Sequence, residues 1–387
     1  MRAVQRRASL AVAAGHRKRK TRTIGHEPAR AEGGRLSRLT DLLGIAHPIL
    51  QAPMAGSTTP ALAAAVASAG ALGGLGAAMH APQAMAAEVD ATRARTNGAF
   101  QVNFFTHAPP EAAPEAIERT RALLAPIYAE RGLGPVPPGD APPPPPYGEE
   151  TMEAVLAARP PVVSFHFGLP EPRLMAPLKA AGIVVLSTAT TPAEARWLEE
   201  RGVDAIIAQG WEAGGHHGWF LDGALRIGTM ALVPQVVDAV AVPVIAAGGI
   251  ADGRGIAAAL ALGAEGVQMG TAFLSTAEAA TPPAHRRAMA GAKATEVTPA
   301  FSGRPARGVL NDYIARMRPH DDALPPFPLM RQLTAPLAAA DAEEDEAAHS
   351  PVWAGQAVGL GRDTGAAALV EALVRETEEA LARLAKM

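Results

Sequence analysis

The stretch "VPVIAAGGIADGRGIAAALALGAEGVQMGTAF", residues 242–273, decides the fold. It begins with a short apolar run that does not alternate with polar residues and stops at Gly248–Gly249. A strand apolar on both faces is buried on both, as in a parallel sheet covered by helices. Asp252 then opens an alanine-rich segment with helical spacing, where a carboxylate serves as N-cap. A second unalternating run follows and ends at Gly270–Thr271. Strand, helix and strand in this order form one parallel βαβ unit.

The same grammar recurs along the chain. Earlier runs are "PILQAPM" (48–54), "GALGGLGA" (70–77), "AFQVNFF" (99–105), "PVVSFHFG" (161–168), "GIVVLSTAT" (182–190) and "VDAIIAQG" (203–210). Helical segments lie between them. "TPALAAAVASAG" carries Thr59 as cap, Pro60 at the first helical position and Gly70 as the stop; "TPAEARWLEERG" repeats this with Thr191, Pro192, Glu194 and Gly202. Eight runs alternating with helices predict an α/β protein, a TIM (β/α)8 barrel, with an open doubly wound sheet as the competing arrangement. Past residue 280 the rhythm breaks, through "DAEEDEAAHS" to the amphipathic "AALVEALVRETEEALARLAKM". The expected organisation is a barrel over 36–280 and an additional C-terminal helical segment over 281–387, packed on it as a layer or lid. The acidic run reads as a solvated loop.

Composition narrows the chemistry. The 387 residues are 48% hydrophobic with a net charge of −3, so no basic field points to nucleic acid. There is no cysteine, which excludes disulfides, thiolate zinc sites and cysteine nucleophiles and fits a cytoplasmic protein. No apolar run is long enough for a transmembrane helix. Residues 1–35 set Arg2, Arg6, Arg7, Arg17, Lys18, Arg19, Lys20, Arg22 and Arg30 against few acids and read as a basic, disordered extension. The proline-rich insertion "GPVPPGDAPPPPPYGEE" (134–150) reads as an extended excursion.

In a barrel, residues 242–273 supply the seventh and eighth strands. Their glycine exits, Gly248–Gly249 and Gly270–Thr271, suit a phosphate, because a Cβ there would hold the phosphate oxygens off the backbone amides. They also suit ordinary strand-to-helix turns. No full G-x-G-x-x-G exists, so a mononucleotide or a phosphorylated substrate fits better than a dinucleotide. In "QAPMAG" (51–56), Pro53 and Met54 offer a soft apolar surface for a flat ring, or simple core packing. Asn103 shares a strand face with Gln101 and Phe105 and can donate and accept toward a uracil-like edge. His166 shares a face with Ser164, and a buried polar layer and a functional role are equally open for it.

"AQGWEAGGHHGWF" (208–220) sets two histidines after two glycines. Adjacent histidines on regular structure do not face one site, which argues against a two-histidine metal centre. One imidazole acting as general base near neutral pH is more economical. His216 is that base, since Gly214 and Gly215 free the backbone just before it. Gln209 points at the barrel mouth.

Together, "PILQAPMAG", "QVNFF", "VVSFHFG", "AQGWEAGGHHG", "PVIAAGGI", "GVQMGTAF", "SGRPARG" (302–308) and "WAGQ" (353–356) resemble class I nitronate monooxygenases, formerly called 2-nitropropane dioxygenases. The resemblance runs from about residue 36 to the C-terminal helix. It implies a TIM barrel binding FMN non-covalently, without metal. It places Ala52, Pro53 and Met54 along the isoalloxazine and Asn103 and Gln209 on its polar edge. Gly215, Gly248, Gly249, Gly270 and Thr271 fall around the ribityl phosphate. His216 takes the position of the catalytic histidine, and His166, Tyr313 and Trp353 line the substrate side. The implied reaction takes an alkyl nitronate, or a nitroalkane after removal of its α-proton, with dioxygen to a carbonyl compound and nitrite. The implied partners are small molecules, with no nucleic acid and no membrane, and the protein is a monomer or homodimer. One departure bears on the site: His217 stands where relatives often have arginine, which predicts a pH-dependent site charge.

Two other readings use the same scaffold. An FMN-dependent NAD(P)H oxidoreductase, either a quinone reductase or an enoyl-thioester reductase, shares the glycine exits. A phosphosugar isomerase would need a lysine or paired carboxylates at strand ends, and the strand exits lack them.

Overall fold

Each of the eight apolar runs forms a strand in the computed structural model, which describes residues 37–387 except 112, 143, 144, 222 and 224. The basic extension over 1–35 lies outside the described residues. In chain order the strands are β1 (Ile49–Gln51), β2 (Gly73–Gly76), β3 (Phe100–Phe105), β4 (Val162–His166), β5 (Val184–Ala189) and β6 (Ala205–Gln209). There follow β7 (Gly215–His216), β8 (Val244–Ala247), β9 (Gly266–Met269), β10 (Thr295–Thr298) and β11 (Ala306–Val309). One sheet runs β1-β9-β8-β6-β5-β4-β3-β2, all parallel. Its two ends meet: Leu72, just before β2, donates to Ile49 O at 2.9 Å, and Gln51 N donates to Leu72 O at 2.9 Å. The sheet is therefore a closed TIM barrel, and the doubly wound alternative is excluded.

The caps behave as the sequence suggests. Thr59 accepts from Leu62 N, Thr191 from Glu194 N, and Asp252 from Arg254 N and Gly255 N. Outward-facing strand side chains such as Val163, Phe165, Val185, Ile206 and Val267 are fully buried against the helices. Each such side chain contributes about 1.5–3 kcal/mol by leaving water. The N-terminal end of the barrel is sealed by the helix Arg38–Leu43, whose Leu39 and Leu43 join Leu50, Leu72, Leu186 and Ile245 in one cluster. Leu39 sits so close to Gly266 that a Cβ there would lie 2.6 Å from it. Only the C-terminal end of the barrel is left for a site.

The expected boundaries at 280 and 281 need correction. The outer ring is not complete at residue 280, because its last helix is Ala366–Leu384. This helix packs between Gly253–Ala261 and Pro60–Ser68 and buries Leu369, Val370 and Leu373. A Cβ on Gly253 would stand 2.4 Å from the backbone of Glu376, so the two helices touch there backbone to backbone. Nor is the rest of 281–387 only helical. β10 and β11 form an antiparallel hairpin, and β11 also pairs with β7 in the loop after β6, Ala306 opposite His216, as a separate three-stranded sheet. A second core forms where helix Leu329–Glu343 meets Pro114–Glu130, with Leu124, Phe301, Tyr313, Met330 and Leu333 inside it. The proline-rich stretch lies along this layer: Ala141 N donates to Gln332 Oε1 at 3.2 Å and Gln332 Nε2 to Ala141 O at 2.7 Å. The acidic run is solvated at Glu344 and Glu346, but Asp341 is fully buried and accepts from His349 N at 2.6 Å.

Candidate active site

The C-terminal mouth opens into a cavity of about 460 Å³. Ala52, Pro53, Met54, Asn103, Gln209, Gly215, His216, Gly248, Gly249, Gly270, Thr271, His166 and Trp353 all line it. Tyr313 does not: it is fully buried in the second core, with its hydroxyl donating to Ala300 O at 3.0 Å. It stands behind Phe301, which lies between it and Trp353, at 4.8 Å from the first ring and 5.5 Å from the second.

The floor is polar. Gln101 Nε2 donates to Gln51 O at 3.3 Å and to Gln268 Oε1 at 3.2 Å. Asn103 Nδ2 is spent on Ser164, at 3.1 Å to the carbonyl and 3.0 Å to the hydroxyl. Its side-chain oxygen is the group left to offer a ligand. Gln209 has both ends engaged: Nε2 donates to His216 O at 3.1 Å and Oε1 accepts from Gly218 N at 2.8 Å. It clamps the loop after β6 from inside the barrel.

The glycine exits form the opposite wall. Gly248 and Gly249 have φ of +109° and +72°, a region in which L side chains are strained. At Gly270 a Cβ would lie 3.5 Å from Ala52 Cβ and 3.6 Å from Met54 Sδ, so the β1 and β9 exits are in contact.

The loop between β6 and the helix Thr229–Val237 carries both histidines. Glu212 caps that helix from outside, accepting from Thr229 N at 2.8 Å and Thr229 Oγ1 at 2.9 Å. His216 turns into the cavity and His217 turns away. The His217 ring stacks on Trp211 with centroids 4.2 Å apart and is 1% exposed. The expectation of a pH-dependent site charge at this position is therefore corrected. His217 is held down to about 3 by burial, then by Arg307 and His166, so it stays neutral at ordinary pH. The cations near the mouth are instead Arg331, exposed on its rim, and Arg304, which lies 3.9 Å over the Phe167 ring.

His166 has no free nitrogen. Nε2 donates to the His216 carbonyl at 3.0 Å, which makes Nδ1 the acceptor for the Thr188 hydroxyl at 3.1 Å. It lines the cavity with its ring and props the His216 backbone. His216 Nε2 meets Ser302 Oγ at 2.8 Å. Around it stand the rings of Phe327 at 5.4 Å, Trp353 at 5.7 Å, Phe105 at 6.0 Å and Phe167 at 6.1 Å. Burial lowers His216 to about 3, with His166, Arg304, His217 and Arg331 adding to the effect. The site is thus a neutral imidazole in an aromatic enclosure beside a polar floor and a glycine wall.

The depressed histidines have a consequence for stability. His107 and His166 are also lowered by burial, each to about 4, from an ordinary 6.5. Below pH 6.5 the unfolded chain takes up protons that the folded chain refuses until about pH 4 to 3. The stabilisation is complete above 6.5 and is lost as pH falls through that window. Urea midpoints are expected to drop clearly between pH 7.5 and pH 5, and an unchanged midpoint would refute the burial of neutral imidazoles.

Local sequence does not mark Phe105, Phe327, Ser302 or Arg331 as site residues. Phe105 was visible as a face-mate of Asn103, and Ser302 lies within "SGRPARG". Nothing local marks Phe327 or Arg331.

A barrel whose strand exits surround a neutral imidazole and a glycine-walled cleft defines a barrel enzyme with a cofactor-sized site. A family model described as nitronate monooxygenase matches residues 36–376. A nitronate monooxygenase of Paraburkholderia phytofirmans is 44% identical over 361 residues, covering 89% of this chain and 96% of its own. A probable nitronate monooxygenase of Staphylococcus saprophyticus is 39% identical over 353 residues, covering 90% and 99%. Among solved structures, nitroalkane oxidase from Streptomyces ansochromogenes has a TM-score of 0.83 at 40% identity, covering 90% of this chain and 100% of that one. FabK from Thermotoga maritima follows at 0.71 and 31%, covering 91% and 99%. The chain belongs to the nitronate monooxygenase family, a family of oxidoreductases.

Proposed function

We propose that the protein oxidises alkyl nitronates, and nitroalkanes through their nitronates, with dioxygen and non-covalently bound FMN, to carbonyl compounds and nitrite. The observation that carries this reading is His216, neutral and presented to a cavity that also holds the glycine exits and the Asn103 oxygen.

The cavity suits FMN on its own chemistry. Gly248 and Gly249 take left-handed backbone and lie close against the loop after β6, where a Cβ would stand 3.0 Å from Ala213 N and 3.1 Å from Glu212 Cβ, and both line the cavity with backbone alone. Ala52, Pro53 and Met54 supply an apolar edge for a flat ring, and Asn103 an acceptor for a ring N–H. Gly270 and Thr271 extend the phosphate side, with Gly215 at the loop. FMN, when bound, supplies electron acceptance and reaction with dioxygen.

The chain's residues do the rest. A base must be unprotonated to take a proton, and burial leaves His216 so across the neutral range; at about 3 it is a weaker base than the near-neutral one expected from the sequence, and its proton affinity has to rise as the nitronate charge develops beside it. The α-carbon of a nitroalkane loses its proton to the imidazole, and the electron pair stays in the nitronate. Phe105, Phe327 and Trp353 exclude water from that carbon. Arg331 at the rim favours anionic substrates, an attraction that salt screens.

The deciding experiment is anaerobic mixing of the FMN-loaded protein with an alkyl nitronate and, separately, with NADH. Bleaching of the flavin absorbance by the nitronate alone, with nitrite formed once air is admitted, is the expected result. Bleaching by NADH alone would overturn it. The second reading, an FMN-dependent NAD(P)H oxidoreductase, draws on the likeness to FabK and would then apply.

A further inference from the structure

We infer that Ser302 is a positioning residue that sets the tautomer of His216, so that Nδ1 is the nitrogen that takes the substrate proton. The inference rests on the proposed role of His216 as base. It follows from how one hydroxyl is shared.

Ser302 is 5% exposed and sits in the loop between β10 and β11. Its Oγ is 2.8 Å from His216 Nε2, 3.1 Å from Arg304 O and 3.4 Å from Arg304 N. A hydroxyl has one proton and two lone pairs. If that proton goes to Arg304 O, the lone pairs receive the Arg304 N–H and a proton on His216 Nε2, and every group is satisfied. If it goes to His216 instead, Arg304 O loses its donor in a part-buried loop, and an acceptor left without a donor there is unfavourable. The first arrangement wins. His216 then carries its proton on Nε2, and its lone pair is on Nδ1.

The loop is built to hold this contact. His217 N donates to Pro305 O at 3.1 Å, and the Arg304 guanidinium bonds the Trp219 carbonyl. Arg307 Nε and Nη2 both bond Trp211 O, at 3.1 and 3.0 Å. The segment 302–307 thus grips the histidine loop before, at and after His216. Gly303 has φ +85°, and a Cβ there would lie 2.3 Å from Pro325 O, which ties the same loop to the segment bearing Phe327.

In the reaction the substrate C–H bond breaks, its electron pair stays on the nitronate and the proton moves to Nδ1. Ser302 keeps its own proton throughout. It accepts from Nε2 before and after, and it stabilises the imidazolium that forms.

The test is long-range proton–nitrogen NMR on the FMN-loaded protein labelled with ¹⁵N-histidine, with His216 identified by the signal missing in His216→Asn. Wild type near neutral pH is expected to show Nε2 protonated and Nδ1 bare. Ser302→Ala should average the two tautomers, and Ser302→Thr should restore the wild-type pattern. In kinetics, Ser302→Ala should lower the ratio of neutral-nitroalkane to preformed-nitronate turnover about fivefold, the worth of one neutral hydrogen bond. Ser302→Thr should recover that ratio. A wild-type His216 protonated on Nδ1, or a Ser302→Ala spectrum like wild type, overturns the inference. A shifted tautomer with an unchanged ratio overturns its catalytic part. If wild type turns over no nitro compound, the proposed function fails, and the NMR still decides the role of Ser302.

Discussion

His216→Asn is expected to keep FMN bound and to lose turnover of neutral nitroalkanes by about 10²–10⁴-fold, the usual worth of a general base. Turnover of preformed nitronates should fall much less. The asymmetry follows from where the proton is. A nitroalkane must lose a proton before it can be oxidised, and of the imidazoles lining the cavity His216 is the one with Nδ1 unengaged inside the enclosure of Phe105, Phe167, Phe327 and Trp353. His166 has both nitrogens engaged, and the His285 Nε2 is held by the Trp353 carbonyl at 3.2 Å. A nitronate arrives already deprotonated. Oxygen consumption with each substrate, beside the flavin content of the purified variant, measures the difference. Equal losses on both substrates would remove the base assignment. Lost flavin would place His216 among the cofactor's supports instead.

Gly214→Ala should be the most damaging single methyl in the site. A Cβ there would lie 2.5 Å from Gly355 N and 2.6 Å from Ala354 C, and backbone on both sides has no side-chain end that can swing away. The 354–356 segment is itself pinned. Gly355 N donates to Thr271 Oγ1 at 2.9 Å and Gln356 N to Glu212 O at 2.9 Å. The added methyl therefore pushes at once on the Thr271 exit and on the loop that ends in His216. Overpacking of this kind costs about 1–3 kcal/mol. The variant is expected to melt several degrees lower and to lose most of its FMN. Gly134→Ala, with nothing within 4 Å of the new Cβ, serves as the control and should change neither. A Gly214→Ala protein with wild-type melting and flavin content would show that the close approach is not needed. The two glycines before His216 thus have separate reasons: Gly214 makes room for a neighbouring backbone, and Gly215 takes φ +72°.

Much of the fold was legible because its signals are local. A strand buried on both faces is a run of apolar residues, and a helix start is a Thr or Asp at a fixed offset from Pro or a free amide. Both patterns lie within a dozen residues, so β1 to β6, β8 and β9 and the caps at Thr59, Thr191 and Asp252 read directly. The boundary at 280 misled because the last helix of the ring is separated from its strand β9 by a long insertion, Met269 to Ala366, that folds as a layer of its own. A rhythm interrupted for that long looks like an ending. The amphipathic face of residues 366–384 was visible, but not what it covers.

By itself the sequence determined the eight strands alternating with helices, the glycine exits at Gly248, Gly249 and Gly270, and the pairing of two glycines with His216. These depend on residue type and short spacing, which local sterics turn into structure. Closure of the sheet was decided by Leu72 meeting Ile49 and Gln51. Only the tertiary structure decided which histidine faces the cavity and which stacks on Trp211. Tyr313 went to a second core and Phe327 to the site by the same means. The tertiary structure also set Ser302 against His216, 86 positions away in the chain. Those outcomes rest on hydrogen bonds to backbone carbonyls and on rings packed from distant segments, contacts made only once the chain has closed.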